Sequence, residues 1–142
     1  MTRTTVIRTI DAPVDVVFRT VANISEFSQA IPHIINVEIL SDTQSGVGTR
    51  FRETRLMRGR ESTTELEVKE YVENQHIRLV SDAGGTIWDT TFMVASEAEQ
   101  TCLTLTMDAN AYKFVAKLAN PVIKGAVKQA IEADMDLSLI HI

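Results

Sequence analysis

A repeating apolar pattern near the C-terminus constrains the fold of this chain most. Between Lys113 and Ile140, apolar side chains recur three or four residues apart, which predicts one long amphipathic helix. The residues on this face are Val115, Leu118, Val122, Ala126, Ala130, Ala133, Leu137 and Ile140. At a rise of about 1.5 Å per residue, such a helix would measure about 40 Å, so it would have to lie across several strands at once.

Small residues occupy the middle of this predicted face: Gly125, Ala126, Ala130 and Ala133. They either let the helix approach a sheet closely or leave space for another molecule. Asn120-Pro121 interrupts the pattern. Pro121 either kinks one continuous helix or follows Asn120 at the start of the main helix.

Composition predicts a single domain over residues 1–142, because 44% of the 142 residues are hydrophobic. The sequence contains no run of about eighteen apolar residues, so we predict no membrane span. It shows no apolar stretch after Met1 of the kind that directs secretion, so we expect a cytoplasmic protein. The net charge of −5, with both signs scattered along the chain, argues against a nucleic-acid surface. Cys102 is the only cysteine, which excludes an internal disulfide and a multi-cysteine metal site.

The first part of the chain predicts a strand, two short helices and a second strand. Alternating β-branched residues over Arg3–Ile10 predict the first strand. Pro13 then begins a helix with apolar residues at helical spacing. Asn23 caps a second helix, and Pro32 ends it. The second strand is predicted over Ile34–Leu40, before a turn-rich loop.

The segment from Thr49 to Ala109 predicts five strands joined by tight turns. A two-residue turn at Arg58-Gly59 would place Phe51 opposite Leu66. The same register would create two pairs of opposite charge: Arg52 with Glu65, and Arg50 with Glu67. Because these pairs arise without adjustment, they support this register.

Three further turns would continue the meander. A turn at Glu73-Asn74 predicts these pairs: Val68 with Leu79, and Glu70 with Ile77. It also sets Lys69 against Arg78, a repulsion that a longer turn would remove. A turn containing Gly84-Gly85 predicts these pairs: Leu79 with Thr90, and Ile77 with Phe92. A turn near Glu97-Ala98 predicts these pairs: Phe92 with Leu103, Thr90 with Leu105, and Trp88 with Met107. One face of this sheet would be apolar and the other polar.

Several of these segments together resemble the helix-grip superfamily, also called START-like or SRPBCC, with its polyketide cyclase/dehydrase-like and lipid-transport members. The segments that carry the resemblance are Ile10-Asp11-Ala12-Pro13 with Val17-Phe18, Val47-Gly48-Thr49-Arg50-Phe51, Glu67-Val68-Lys69-Glu70-Tyr71 and the proline-interrupted C-terminal helix. The resemblance implies an α+β fold in which a seven-stranded curved antiparallel sheet wraps around the long C-terminal helix and encloses a deep cavity. It also implies a bound lipid, sterol, polyketide, hormone or quinone. A glycine-rich loop of the birch-pollen-allergen type is missing, since Leu40 to Gly48 holds only two glycines.

Glu53 and Arg55 are the most informative polar residues, because strand alternation places both on the inward face beside Phe51 and Met57. A carboxylate and a guanidinium in an apolar cavity can orient a ligand, and burial can raise the pKa of a glutamate toward acid–base work. Alternatively, they pair with each other, with water or with Glu70. The predicted ligand-binding residues are Phe51, Glu53, Arg55, Met57, Leu66, Trp88, Thr90, Phe92, Leu105, Met107, Val122, Ala126 and Ala130.

Histidines and known motifs add little to this site. His33 follows Pro32 at the entrance of a strand and is a third candidate catalytic residue, although an exposed loop position explains it better. His76 and His141 are remote from it in sequence, so we predict no metal site. Nucleotide-binding and serine-hydrolase motifs are missing, and we predict no cofactor.

Three functions remain open at this point. The first is binding or carriage of a small hydrophobic or aromatic molecule, lipid-like or polyketide-like, between the sheet and the C-terminal helix. The second is a cyclase or dehydratase that uses Glu53, Arg55 or His33. The third is a protein-interaction or chaperone-like module with an apolar rim formed by three residues: Ile31, Pro32 and Ile34.

Overall fold

The computed structural model describes residues 2–112, 131–133 and 135–136. Its elements are β1 (Thr2–Ile10), α1 (Val14–Ala22), α2 (Ile24–Ala30), β2 (Ile34–Ile39), β3 (Arg50–Met57), β4 (Arg60–Val72), β5 (His76–Ala83), β6 (Thr86–Glu97) and β7 (Gln100–Ala111). Residues 131–133 and 135–136 are helical. The rest of the predicted C-terminal helix, including Asn120-Pro121, lies outside the described residues.

The seven strands form one antiparallel sheet in the order β1-β7-β6-β5-β4-β3-β2. This confirms the predicted strands and the two short helices between β1 and β2. Because β1 pairs with β7 and not with its neighbour in sequence, α1 and α2 carry the chain from one edge of the sheet to the other.

Two hairpins confirm the predicted register. Phe51 lies opposite Leu66 across β3 and β4, and Leu79 lies opposite Thr90 across β5 and β6. Both hairpins close through two residues with positive φ: Arg58 (52°) with Gly59 (76°), and Gly84 (64°) with Gly85 (82°). Two successive positive φ angles match the right-handed twist of paired strands, which is why these turns were predictable.

The hairpin of β4 and β5 differs from the prediction. A bulge between Val68 and Glu70 places Glu70 opposite Arg78, so the predicted pairing of Glu70 with Ile77 was wrong. The turn is also longer than two residues, because Val72 pairs with His76. The bulge replaces the predicted repulsion between two cations with an attraction between Glu70 and Arg78, whose side chains lie 2.8 Å apart.

The last hairpin is shifted by two residues from the predicted register. Phe92 lies opposite Leu105 and Thr90 opposite Met107, because the turn is formed by the two residues between Glu97 and Gln100. A shift of two leaves every side chain on its predicted face, since strand alternation has a period of two. The hydrophobic pattern therefore could not distinguish the two registers.

The core lies between the inner face of the sheet and α1, which buries Val17, Phe18 and Val21. Two buried hydroxyl groups tie loops to this core. Thr49 donates a hydrogen bond of 2.8 Å to the Gly46 carbonyl, and Thr101 donates one of 2.7 Å to the Ala12 carbonyl. Both threonines are fully buried, so these bonds offset the cost of removing their hydroxyls from water.

The described part of the C-terminal helix presents a different face from the predicted one. Ile131 and Met135 are buried, whereas Ala133 is exposed. Residues four apart share a helix face and residues two apart do not, so the predicted inward position of Ala133 was wrong. The physical reason is that isoleucine and methionine gain more than alanine by leaving water.

The outer face of the sheet carries the predicted polar side chains, and several of its charges form ion pairs. Arg52 bridges Glu38 and Glu65, and Arg78 donates two hydrogen bonds to Asp89, of 2.9 and 2.7 Å. Asp89 lies directly opposite a second aspartate, Asp108. Like charges in that position repel, and an arginine on each aspartate offsets the repulsion.

Arg3 neutralises Asp108 through two hydrogen bonds of 2.7 and 3.0 Å. These bonds, together with the positive charge, hold the pKa of the Asp108 carboxyl below its ordinary value. Because this pKa is lower in the folded than in the unfolded protein, the pair stabilises the fold above the unfolded-state pKa of about 3.9. That contribution is lost as the pH falls through the folded-state pKa.

We predict that Arg3→Gln raises the pKa of Asp108 and makes the loss of stability in acid shallower. Carboxyl-carbon NMR titration would measure the pKa, and urea unfolding between about pH 5 and pH 2 would measure the stability. Arg60→Gln is the control, since the structure shows no ion pair for Arg60 within residues 2–112. An unchanged Asp108 titration in Arg3→Gln would contradict the assigned cause.

Candidate ligand-binding site

A cavity of about 130 Å³ lies between the inner face of the sheet and the helices. The predicted residues that line it are Phe51, Glu53, Arg55, Leu66, Thr90, Phe92, Leu105 and Met107. All of them are on strands, and alternation along each strand turns their side chains to the same face. The wall is therefore apolar except for a few polar side chains.

Glu53 and Arg55 form an ion pair in this wall, in which the Arg55 Nε donates to the Glu53 carboxylate. The two residues stand two positions apart on β3 and therefore share the inner face. Their side chains are 13% and 24% exposed, so water reaches the pair on one side. Of the arrangements predicted for these residues, mutual pairing is the observed one.

Glu70 takes no part in this pair. The bulge in β4 turns its carboxylate to the outer face, where it accepts one hydrogen bond of 2.8 Å from Arg78 and contacts His76 at 3.2 Å. The expectation that Glu70 partners Glu53 or Arg55 was therefore wrong. The hydrogen bonds from Arg78 and His76 hold the pKa of Glu70 below its ordinary value.

Two predicted residues lie outside the cavity wall. His33 is exposed on the loop before β2, where its carbonyl accepts a hydrogen bond of 2.8 Å from the Leu56 amide. Trp88 lies opposite Ser81 and Ala109, close to the turn between β5 and β6, beyond the lining residues. The two-residue shift of β7 puts Met107 beside Thr90 instead of Trp88.

The remaining predicted positions belong to residues of which no contacts are described. They are the Met57 side chain and Val122, Ala126 and Ala130. The predicted interaction rim was wrong in two of its three members, because Ile31 and Ile34 are buried in the core and only Pro32 is exposed.

The sequence that forms this fold matches a known family. A family model described as polyketide cyclase / dehydrase and lipid transport matches residues 1–139. The chain belongs to this family. The match confirms the resemblance to START-like proteins, and the family description covers both chemistry on a ligand and transport of a ligand. A comparison with curated proteins finds no match.

Several solved structures share this fold. The Zhui aromatase/cyclase from Streptomyces sp. R1128 is similar with a TM-score of 0.80 and 19% identity, over 99% of this chain and 92% of that chain. A START superfamily protein from Mycobacterium smegmatis has a TM-score of 0.76 and 16% identity, over 96% and 93%. The protein TTHA0849 from Thermus thermophilus has a TM-score of 0.79 and 18% identity, over 97% and 94%. At these identities the likeness shows the fold alone.

In this polyketide cyclase / dehydrase and lipid transport family member, the cavity wall also contains residues that the sequence did not predict. The two short helices and β2 contribute Val21, Ala22, Ile24, Phe27, Ser28 and Val37. Four others are Ile77, Leu79, Ile131 and Met135. The pairing of Ile77 and Leu79 with predicted wall residues could have revealed those two, whereas the helix residues depend on how each helix docks.

Phe27 is the most informative of the residues that were missed. Its ring meets that of Phe92 edge to face, with centroids 5.9 Å apart, and so links α2 to the middle of the sheet. The only buried residue of α2 is Ala30, so this short helix covers the cavity with few anchors.

The described residues offer neither a metal site nor a membrane-spanning helix. No group of three His, Cys, Asp or Glu side chains within them is arranged to hold a metal ion. Likewise, none of the helices in the described part of the chain is long and apolar enough to cross a membrane. The polar side chains that the described wall brings to the cavity are those of Glu53, Arg55, Thr90 and Ser28.

Proposed function

We propose that this protein binds a small hydrophobic or aromatic molecule in the cavity between its sheet and its helices. The observation that carries the proposal is an apolar cavity with one ion pair, Glu53 with Arg55, in its wall. Such a cavity removes apolar ligand surface from water and uses a few polar groups to orient the molecule. The family description, which includes lipid transport, agrees with this function.

The polar groups would orient the ligand. The Glu53 carboxylate accepts hydrogen bonds, and the Thr90 hydroxyl can donate or accept one. Among the described residues, the structure shows no hydrogen bond for the Thr90 hydroxyl, so a ligand can use it without breaking an existing bond. Apart from Arg55 and Ser28, the other described wall residues would contribute apolar contact.

Thr90→Trp is expected to abolish ligand binding, because the larger side chain would occupy the cavity. Thr91→Trp is the matched control, since the neighbouring residue points to the outer face of the same strand. Native mass spectrometry of the purified protein, followed by ligand-observed NMR with aromatic and lipid-like compounds, would measure retention and uptake.

Thermal unfolding must accompany this measurement, because overpacking costs about 1–3 kcal/mol. If Thr90→Trp does not fold, Thr90→Leu gives a milder reduction of the same space. A folded Thr90→Trp protein that binds as well as the unchanged protein would show that the ligand lies elsewhere.

A cyclase or dehydratase is the second candidate function. It is favoured by the presence of a carboxylate in the cavity wall and by the cyclase and dehydrase chemistry named in the family description. Incubation of the unchanged protein with its ligand distinguishes the two functions, because an enzyme would convert the ligand whereas a carrier would release it chemically unchanged. If the protein is an enzyme, Glu53→Gln should keep its affinity and lose turnover. Mass spectrometry of the ligand before and after incubation would show which is the case.

A further inference from the structure

We infer that the ligand has two parts: a small apolar group in the cavity between sheet and helices, and a hydroxyl-rich group, such as a sugar unit, in a second pocket beside it. This inference rests on the proposed function and names the class of ligand. Three observations carry it: the size of the first cavity, the residues that the two spaces share, and the polar wall of the second pocket.

The cavity between sheet and helices, which we call the inner cavity, is small for a complete ligand site. It measures about 130 Å³, close to the ~150 Å³ of an apolar cavity that admits benzene. Sites for small molecules usually measure about 300–1,000 Å³. The inner cavity therefore holds about one ring, and the rest of a ligand of ordinary size would lie in a neighbouring space.

A second pocket, of about 470 Å³, adjoins the inner cavity. It lies between α1, the start of α2, the loop from β2 to β3 and the turn from β4 to β5, and we call it the loop pocket. Ala22, Ile24 and Ile77 line both spaces, so one layer of side chains separates them. Ala22 and Ile77 are buried, whereas Ile24 is only partly buried at the first position of α2. A ligand that reaches from one space into the other would pass Ile24.

The wall of the loop pocket is rich in uncharged polar side chains. Those of the described residues are Asn23, Ser25, Gln44, Ser45, Tyr71 and Asn74. Amides and hydroxyls both donate and accept hydrogen bonds, as sugar hydroxyls do. An ionised carboxylate only accepts them, so it would leave the acceptors of this wall unused. The pattern therefore favours a hydroxyl-rich group over an acidic one.

The charged side chains of the described wall agree with this choice. Asp15 and Glu73 carry carboxylates, which accept hydrogen bonds from hydroxyl groups. The described cation of this wall, Arg19, already faces Glu26 at 3.6 Å.

Tyr71 is the residue best placed to recognise the hydroxyl-rich group. Its ring packs edge to face on that of Phe18, with centroids 5.4 Å apart, and this contact holds the ring in the wall. Among the described residues, the structure shows no hydrogen bond for the Tyr71 hydroxyl, so a ligand can use it without breaking an existing bond. The same is true of the side chains of Gln44, Ser45 and Asn74.

The loop that carries Gln44 and Ser45 is anchored to the core. The hydroxyl of the buried Thr49 donates a hydrogen bond of 2.8 Å to the Gly46 carbonyl. The Gly48 amide donates one of 3.0 Å to the Val68 carbonyl on β4. Since this part of the wall is ordered before a ligand arrives, binding loses less conformational entropy there.

The experiment is an NMR titration of the full chain with three uncharged probes: phenyl β-D-glucoside, anisole and methyl β-D-glucoside. The last two are the separate halves of the first, each closed by a methyl group. We expect the joined molecule to bind at least tenfold more tightly than either half, because joining two groups that occupy neighbouring sites makes the second contact intramolecular. Anisole should shift the signals of Phe92 and Leu105, and the joined molecule should also shift those of Ser45 and Asn74.

Tyr71→Phe tests the loop pocket directly, because it removes one hydroxyl and keeps the ring. It should weaken binding of phenyl β-D-glucoside about fivefold and leave the affinity for anisole unchanged. Tyr112→Phe is the matched control, since it removes the same group from the other tyrosine of the chain, whose hydroxyl contacts Asp82 and which lines neither space.

The outcomes separate this inference from the proposed function. If anisole binds and the joined molecule binds no more tightly, or if Tyr71→Phe leaves the affinity for the joined molecule unchanged, the two-part ligand is wrong and the ligand-binding function stands. If none of the probes binds, the molecule retained on purification decides: one without a hydroxyl-rich group overturns this inference alone, and a protein that retains nothing overturns the proposed function as well. The comparison of probes on the unchanged protein is decisive even if Tyr71→Phe does not fold.

Discussion

Leu103→Ala is expected to lower the free energy of unfolding by about 3 kcal/mol. Leu103 lies in β7, is 0% exposed and belongs to the core cluster. Truncation removes buried apolar atoms and leaves a void that β7 cannot move to close, because its backbone is hydrogen-bonded on both sides, to β1 and to β6. The melting temperature should fall by about 6–12 °C.

Urea unfolding followed by circular dichroism would measure this change. Leu56→Ala is the matched control, because Leu56 is 43% exposed and its truncation should change the stability by less than about 0.5 kcal/mol. Equal losses in the two variants would mean that the two faces of the sheet are not assigned correctly.

Arg55→Met is expected to cost about 1–2 kcal/mol of stability, because it leaves the Glu53 carboxylate without its guanidinium partner in a wall that is mostly apolar. The loss stays below the range for fully buried pairs because water reaches one side of this pair. Adding Glu53→Gln should recover much of the loss, since the double variant no longer contains an unpaired Glu53 carboxylate.

A double-mutant cycle on urea unfolding would measure the coupling between the two residues. The control pair is Arg52 with Glu65 on the outer face, where the side chains are 41% and 59% exposed and the coupling should be under about 1 kcal/mol. If both cycles give the same coupling, the inner pair behaves as a surface ion pair, and its role in orienting a ligand loses its physical basis.

The ion pair also shows how far sequence reasoning reached into the site. Strand alternation placed Phe51, Glu53 and Arg55 on one inward face, and the structure confirms it. The same rule predicted Thr90, Phe92 and Leu105, although the assumed register of β7 was two residues off. The assignment survived this error because a shift of two residues does not change the face of a strand.

Helix contributions to the cavity could not be obtained in this way. The sequence pattern predicted apolar residues at helical spacing in the first short helix, but several dockings would bury such residues equally well. Only the packing of α2 over the sheet places the Phe27 ring 5.9 Å from that of Phe92. The burial of Ile131 and Met135, with Ala133 exposed, is likewise decided by docking and not by periodicity.

The sequence by itself determined the strands, their faces and two hairpins, because these depend on interactions between near neighbours along the chain. A positive φ at Gly59 or Gly85 is a local property that a glycine supplies wherever it stands. Tertiary structure alone decided the bulge at Lys69, the register of β7 and the volume of the cavity. These features depend on contacts between residues far apart in sequence, whose energies no local pattern records.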